Sequence, residues 1–112
     1  MAMAGVSHFE NKINQAAELK KEGNAFFKLG NYDEASKKYQ SALQLLEPSS
    51  FYGATESECH KLAEVSSNLL FNVGTCCFNQ QKWKDAEVLY SEALTINPFY
   101  VKALFKRAMS KL

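Results

Sequence analysis

Apolar and small residues in this chain recur at helical spacing. Leu19, Gly23, Phe26 and Phe27 fall on one side of a first helix, and Ala35, Tyr39, Ala42 and Leu43 on one side of a second. No stretch alternates apolar and polar residues for long, which argues against strands. Gly30-Asn31 separates the two helices: glycine suits the left-handed residue that ends one helix, and Asn31 can cap the next. Pro48-Ser49-Ser50 ends the second helix. Thr55 stands three residues before Glu58, the spacing of a capping box, so a third helix starts near Glu56 and runs without a breaker to about Asn79. Asn97-Pro98 reads as another start, with Asn97 as cap and Pro98 in the first turn. The expected helices span about 12–29, 32–47, 56–79, 83–96 and 98–111.

The helical pattern repeats. At an offset of 51, Leu19 falls on Leu70, Gly23 on Gly74, Phe27 on Phe78, Ala35 on Ala86, Tyr39 on Tyr90, and Ala42-Leu43 on Ala93-Leu94. Tyr32 falls on Trp83, an aromatic on an aromatic. At an offset of 34 a third copy begins, with Leu70 on Leu104, Phe71 on Phe105 and Gly74 on Ala108. The period is therefore 34, with 17 extra residues between the first and second copies. Gly23 and Ala35 are small where two helices approach closely, and Tyr39 fills the space beside them. Each copy is a helical hairpin that cannot bury its apolar face alone and needs its neighbour. The expected organisation is a flexible segment or helix start over 1–14 and a repeat domain over 15–112. That domain divides into repeat one at about 16–48, an insertion and helix extension at about 49–66, repeat two at about 67–98, and the first helix of repeat three at 99–112.

Composition narrows the function. The 112 residues form one domain of ordinary globular make-up, with 46 % apolar and 22 % charged residues. A net charge of +1, with basic residues dispersed along the chain, offers no polybasic surface for nucleic acid, and no apolar run approaches a membrane span. Cys59, Cys76 and Cys77 are an odd set, and two of them are neighbours, so a secreted disulfide scaffold does not fit and a reducing, cytoplasmic compartment is expected.

The signature Leu19-x-x-Glu22-Gly23-x-x-Phe26, then Ala35-x-x-x-Tyr39 and Pro48, resembles the tetratricopeptide repeat family. The second copy reads Leu70-x-x-Val73-Gly74-x-x-Cys77, then Ala86-x-x-x-Tyr90 and Pro98. In this copy Gln81 stands where the first has Gly30, and Cys77 replaces an aromatic. The resemblance implies an all-α fold: antiparallel helical hairpins stacked as a right-handed superhelix, here two full repeats plus the first helix of a third. It also implies a concave groove lined by the first helix of each hairpin. The two-carboxylate clamp subfamily, found in chaperone cofactors, places Lys and Asn on the first repeat, Asn on the second, and Lys and Arg on the third. The matching positions here hold Lys20, Asn24, Asn72, Lys102 and Lys106, with Lys106 where Arg is usual. The long third helix and its insertion resemble the C-terminal domains of large immunophilins and of the related aryl-hydrocarbon-receptor-interacting protein. What the resemblance implies is a module of a co-chaperone binding the acidic Glu-Glu-Val-Asp-type tail of heat-shock protein 90 or heat-shock protein 70.

The spacing agrees with that role. Lys20 and Asn24 are one turn apart on one face, as are Lys102 and Lys106, and Asn72 lies 34 residues before Lys106, at the equivalent site one hairpin earlier. Three ammonium groups and two amides can satisfy a terminal carboxylate and a neighbouring acid with charge-assisted hydrogen bonds. Phe27 and Phe78, equivalent sites one turn on, could floor a pocket for the residue before a terminal Asp.

Other readings stay open. A lysine pair at helical spacing is commonly a solvated face, and an aromatic on a helix is more often core. A scaffold for an unrelated partner, and the non-catalytic domain of a peptidyl-prolyl isomerase, both fit the repeats. Cys59-His60 suggests a thiol catalyst, but two His and no Cys-x-x-Cys make a metal site a poor fit, and neither catalysis nor a cofactor is expected of this chain. Leu104, Ala108 and Leu112 share one face at the third copy, so self-association through 101–112 is expected.

Overall fold

The computed structural model describes residues 7–111. Five α-helices follow one another: α1 (His8–Lys28), α2 (Tyr32–Leu45), α3 (Glu56–Asn79), α4 (Trp83–Ile96) and α5 (Val101–Ser110). A 3-10 turn, Pro48–Phe51, lies between α2 and α3. α1 packs with α2 and α3 with α4 as two hairpins, and the hairpins stack through α2 and α3. α5 packs on α4 as the first helix of a third copy. The fold is all-α, as the repeat predicts, and elongated, 53 × 29 × 20 Å.

Both hairpins close on the same contact. A Cβ added at Gly23 would stand 2.6 Å from Tyr39 Cε1, and one at Gly74 would stand 2.7 Å from Tyr90 Cε1. Both rings are buried, so the helix of each glycine rests directly on a tyrosine face. Around Tyr39 lies one core of Ala35, Ala42, Leu46, Leu69, Val73 and Cys76, and around Tyr90 a second of Ala86, Ala93, Leu94 and Ala103. Small residues dominate because the helix axes are close, and the tyrosines supply the volume.

The loops follow their sequence signals with three differences. Asn31 caps α2 through Glu34 N, and Thr55 with Glu58 completes a capping box on α3. Gly30 takes φ 77°, and its counterpart Gln81 takes φ 63° without being glycine. The first difference is at α1, which begins at His8 rather than near residue 12. Ser7 and Glu10 form a second capping box there, and Phe9 packs edge-on against Phe51 at 5.6 Å. Phe51 belongs to the insertion, so the extra α1 turn is held by a segment remote in sequence. The second difference is at α5. Asn97 and Pro98 do not start it: Asn97 ends α4, its Oδ1 accepts from Phe99 N at 3.3 Å, and α5 begins at Val101. The Tyr100 ring lies 5.2 Å from Phe71, and this anchor fixes where the helix can turn in. The third is at α2, which ends at Leu45, with Leu46 as its C-cap, rather than near residue 47.

Candidate functional site

α1, α3 and α5 are the first helices of successive copies, and their exposed faces carry the candidate residues. Lys20 from α1 and Lys102 from α5 line one open cavity of about 620 Å³, whose floor includes Asn68 and Tyr100. Asn24 and Phe27 from α1 and Asn72 from α3 line a smaller cleft of about 220 Å³, with Tyr39, Phe71 and Thr75 at its base. Lys106 stands apart from both cavities, its Nζ 4.5 Å above the centre of the Phe78 ring. That is cation–π distance, and the contact holds the ammonium against the wall of α3.

Two of these side chains are oriented by the hairpin core. Tyr39 Oη donates to Asn24 Oδ1 at 2.5 Å. Burial, followed by the nearby Cys76 thiol, pushes the Tyr39 hydroxyl up to about 12, so it keeps its proton and remains a donor. With Oδ1 accepting from Tyr39, the Asn24 amide keeps its Nδ2 donors for a ligand, and these suit a carboxylate. The second copy repeats the device with a different residue: Thr75, at the Asn24 position, lies 3.0 Å from Tyr90 Oη. The site is thus tied to the packing that builds each hairpin.

The aromatic candidates serve the walls. Phe27 stacks edge-on against Tyr32 at 5.2 Å and Phe78 against Trp83 at 5.0 Å, so both are half-buried supports at the hairpin turns. Phe27 reaches the cleft shared by Asn24 and Asn72; Phe78 instead lies under Lys106. Each ring is held by its own hairpin's aromatic partner. The larger cavity also holds polar residues that the sequence patterns do not single out, among them Lys61, Asn68 and Tyr100. Asn68 Nδ2 donates to Tyr100 Oη at 3.0 Å. For Lys61 and Asn68 a signal was present, since they share one helical face of α3 with Val65 and Asn72.

The repeated hairpins and the groove along their first helices define a tetratricopeptide repeat domain. A family model described as Tetratricopeptide repeat matches residues 16–48 and 67–100, and the chain belongs to that family. Among its relatives is the human Mitochondrial import receptor subunit TOM70, 32 % identical over 99 residues, which covers 88 % of this chain and 14 % of the relative. Another is the bovine Aryl-hydrocarbon-interacting protein-like 1, 32 % identical over 100 residues, covering 88 % of this chain and 30 % of the relative. The chain therefore spans less than a third of the length of these curated relatives. A looser likeness, with TM-score 0.41 and 23 % identity over 88 % of this chain and 91 % of the other, is to the first TPR of Spaghetti (RPAP3) bound to HSP90 peptide SRMEEVD.

Proposed function

We propose that this domain is a protein–protein interaction module of a co-chaperone, non-catalytic itself, and that it binds the acidic Glu-Glu-Val-Asp-type tail of heat-shock protein 90 or heat-shock protein 70 through a carboxylate clamp. The observation that carries the reading is the gathering of Lys20 and Lys102 on one cavity and of Asn24 and Asn72 on the adjoining cleft, all from first helices. The free terminal carboxylate faces Lys20, Asn24 and Asn72. The side-chain carboxylate of the terminal Asp faces Lys102 and Lys106, the latter leaving or sharing the Phe78 ring. The lysine contacts are open to water, so each contributes about 1–3 kcal/mol at most and weakens with salt. Ordering a flexible tail offsets much of this, leaving an affinity on the order of micromolar.

Lys102→Ala tests the reading. Lys102 is exposed, so circular dichroism should report an unchanged fold while tail-peptide affinity falls about tenfold or more. Unchanged affinity in the folded variant would remove the clamp and leave a scaffold for another partner. The odd number of cysteines, with Cys59 exposed, supports a cytoplasmic setting. Leu104, Phe105 and Met109 of α5 are exposed large apolar side chains, which supports self-association of this chain through 101–112; Leu112 lies outside the described residues.

A further inference from the structure

The larger cavity extends well beyond the five clamp positions. Its wall on the α3 side is made by Lys61, Glu64 and Val65, turns that belong to the insertion and have no counterpart in a 34-residue repeat. A second cavity of about 460 Å³ shares Lys61, Glu64 and Asn97 with it, so the groove continues around this wall toward the start of α3. Lys20, Lys61 and Lys102 contribute three positive charges to the larger cavity and Glu64 one negative charge. Lys61 is 3.6 Å from Glu64, but both side chains are more than half exposed, so the pair is weak and open to exchange. On the cavity floor Asn68 spends its Nδ2 on Tyr100, and its Oδ1 is buried with no partner among the described residues.

Resting on the clamp reading above, we propose that the insertion-built turns of α3 form an additional subsite for the peptide, in which Lys61 reads an acidic side chain upstream of the terminal Asp. The spacing sets which one. Asn68 occupies the level of Lys102, 34 residues on, and Lys61 lies seven residues before Asn68. Seven helical residues rise about 10 Å. An extended chain covers that distance in about three residues. The third or fourth residue before the terminal Asp therefore reaches Lys61, which lines the same cavity as Lys20 and Lys102.

The test uses two octapeptides with free C-termini ending in Glu-Val-Asp, one with Glu at the third and fourth positions before the terminal Asp, the other with Gln at both. Affinities are measured by fluorescence anisotropy against the wild-type chain, Lys61→Gln, Lys61→Glu and Lys102→Ala. The wild type should prefer the Glu peptide about three- to fivefold. Lys61→Gln should erase that preference and Lys61→Glu reverse it, with the Gln peptide bound as before by Lys61→Gln. A Glu preference that survives both substitutions overturns the subsite, whatever Lys102→Ala does. If Lys102→Ala weakens neither peptide while Lys61→Gln erases the preference, the clamp fails and the Lys61 subsite stands. If neither peptide binds the wild type, both are overturned.

Discussion

Gly23→Ala probes the contact on which both the fold and the site depend. The added Cβ would lie 2.6 Å from Tyr39 Cε1, 2.9 Å from Cδ1 and 3.1 Å from Cζ. Carbon pairs settle near about 3.5–4.0 Å, so the ring or the helix must move by roughly 1 Å. Tyr39 is 2 % exposed and cannot swing into water. Overpacking of this kind costs about 1–3 kcal/mol. Displacing the ring also strains its hydrogen bond to Asn24, a further loss of about 0.5–1.5 kcal/mol. Against this, alanine regains about 1 kcal/mol of helix propensity over glycine. The net expectation is a loss of about 1–3 kcal/mol, a fall in Tm of roughly 5–15 °C for a domain of this size. Thermal and urea unfolding followed by circular dichroism measure it. The same substitution in a Tyr39→Leu background, where the ring is gone, should be neutral or stabilising. If Gly23→Ala raises the Tm of the wild-type chain, the close approach does not limit the packing and the argument fails. Because Tyr39 orients Asn24, the variant should also bind tail peptide more weakly than its loss of stability alone explains.

The other expectations concern burial, backbone and surface. Burial is the main cause that raises the Cys76 thiol from 9.0 and the Tyr39 and Tyr90 hydroxyls from 10.0, each to about 12. The unfolded chain therefore releases these protons first, and urea melts should show unfolding free energy unchanged by these groups below about pH 9 and falling as pH rises toward about 12; a rise in stability over that interval would contradict the burial. Gln81 holds φ 63°, a conformation glycine reaches without steric cost, so Gln81→Gly should stabilise by about 0.5–1 kcal/mol in the same melts, and a loss would mean its side chain matters. Sedimentation should show concentration-dependent association of the chain that Phe105→Glu removes; a strictly monomeric wild type at high concentration would refute self-association through α5.

The hairpins were legible because their evidence is periodic: one offset aligned Gly23 with Gly74 and Tyr39 with Tyr90, and in both hairpins the glycine lies against the tyrosine ring. The α1 start lay before the periodic apolar positions: Ser7 and Glu10 have the spacing of a capping box, but the turn they open is held by Phe9 on Phe51, 42 residues away, which periodicity does not report. The α5 start was misread for the same reason: Asn97-Pro98 has the composition of a cap, yet Tyr100 is fixed by Phe71 and Asn68. At the groove, the resemblance to the clamp subfamily singled out Lys20, Asn24, Asn72 and Lys102, the repeat spacing agreed with it, and these four side chains line the two cavities. Spacing could not tell that Lys106 rests on Phe78, since that contact joins two helices whose separation only packing determines. Lys61 was overlooked because repeat matching treats the insertion as extra chain, whereas in space it lengthens the wall of the groove.

The most direct test of the account is a titration of the wild-type chain with one tail peptide ending in Glu-Glu-Val-Asp, prepared once with a free C-terminal carboxylate and once amidated. Amidation removes one negative charge and leaves every side chain in place. The account predicts binding of the free acid on the order of micromolar, weakening with added salt, and binding of the amide about tenfold weaker or more. Equal affinities for the two peptides would contradict it, because a groove that does not distinguish a carboxylate from an amide at the peptide's end has no clamp at Lys20, Asn24 and Asn72.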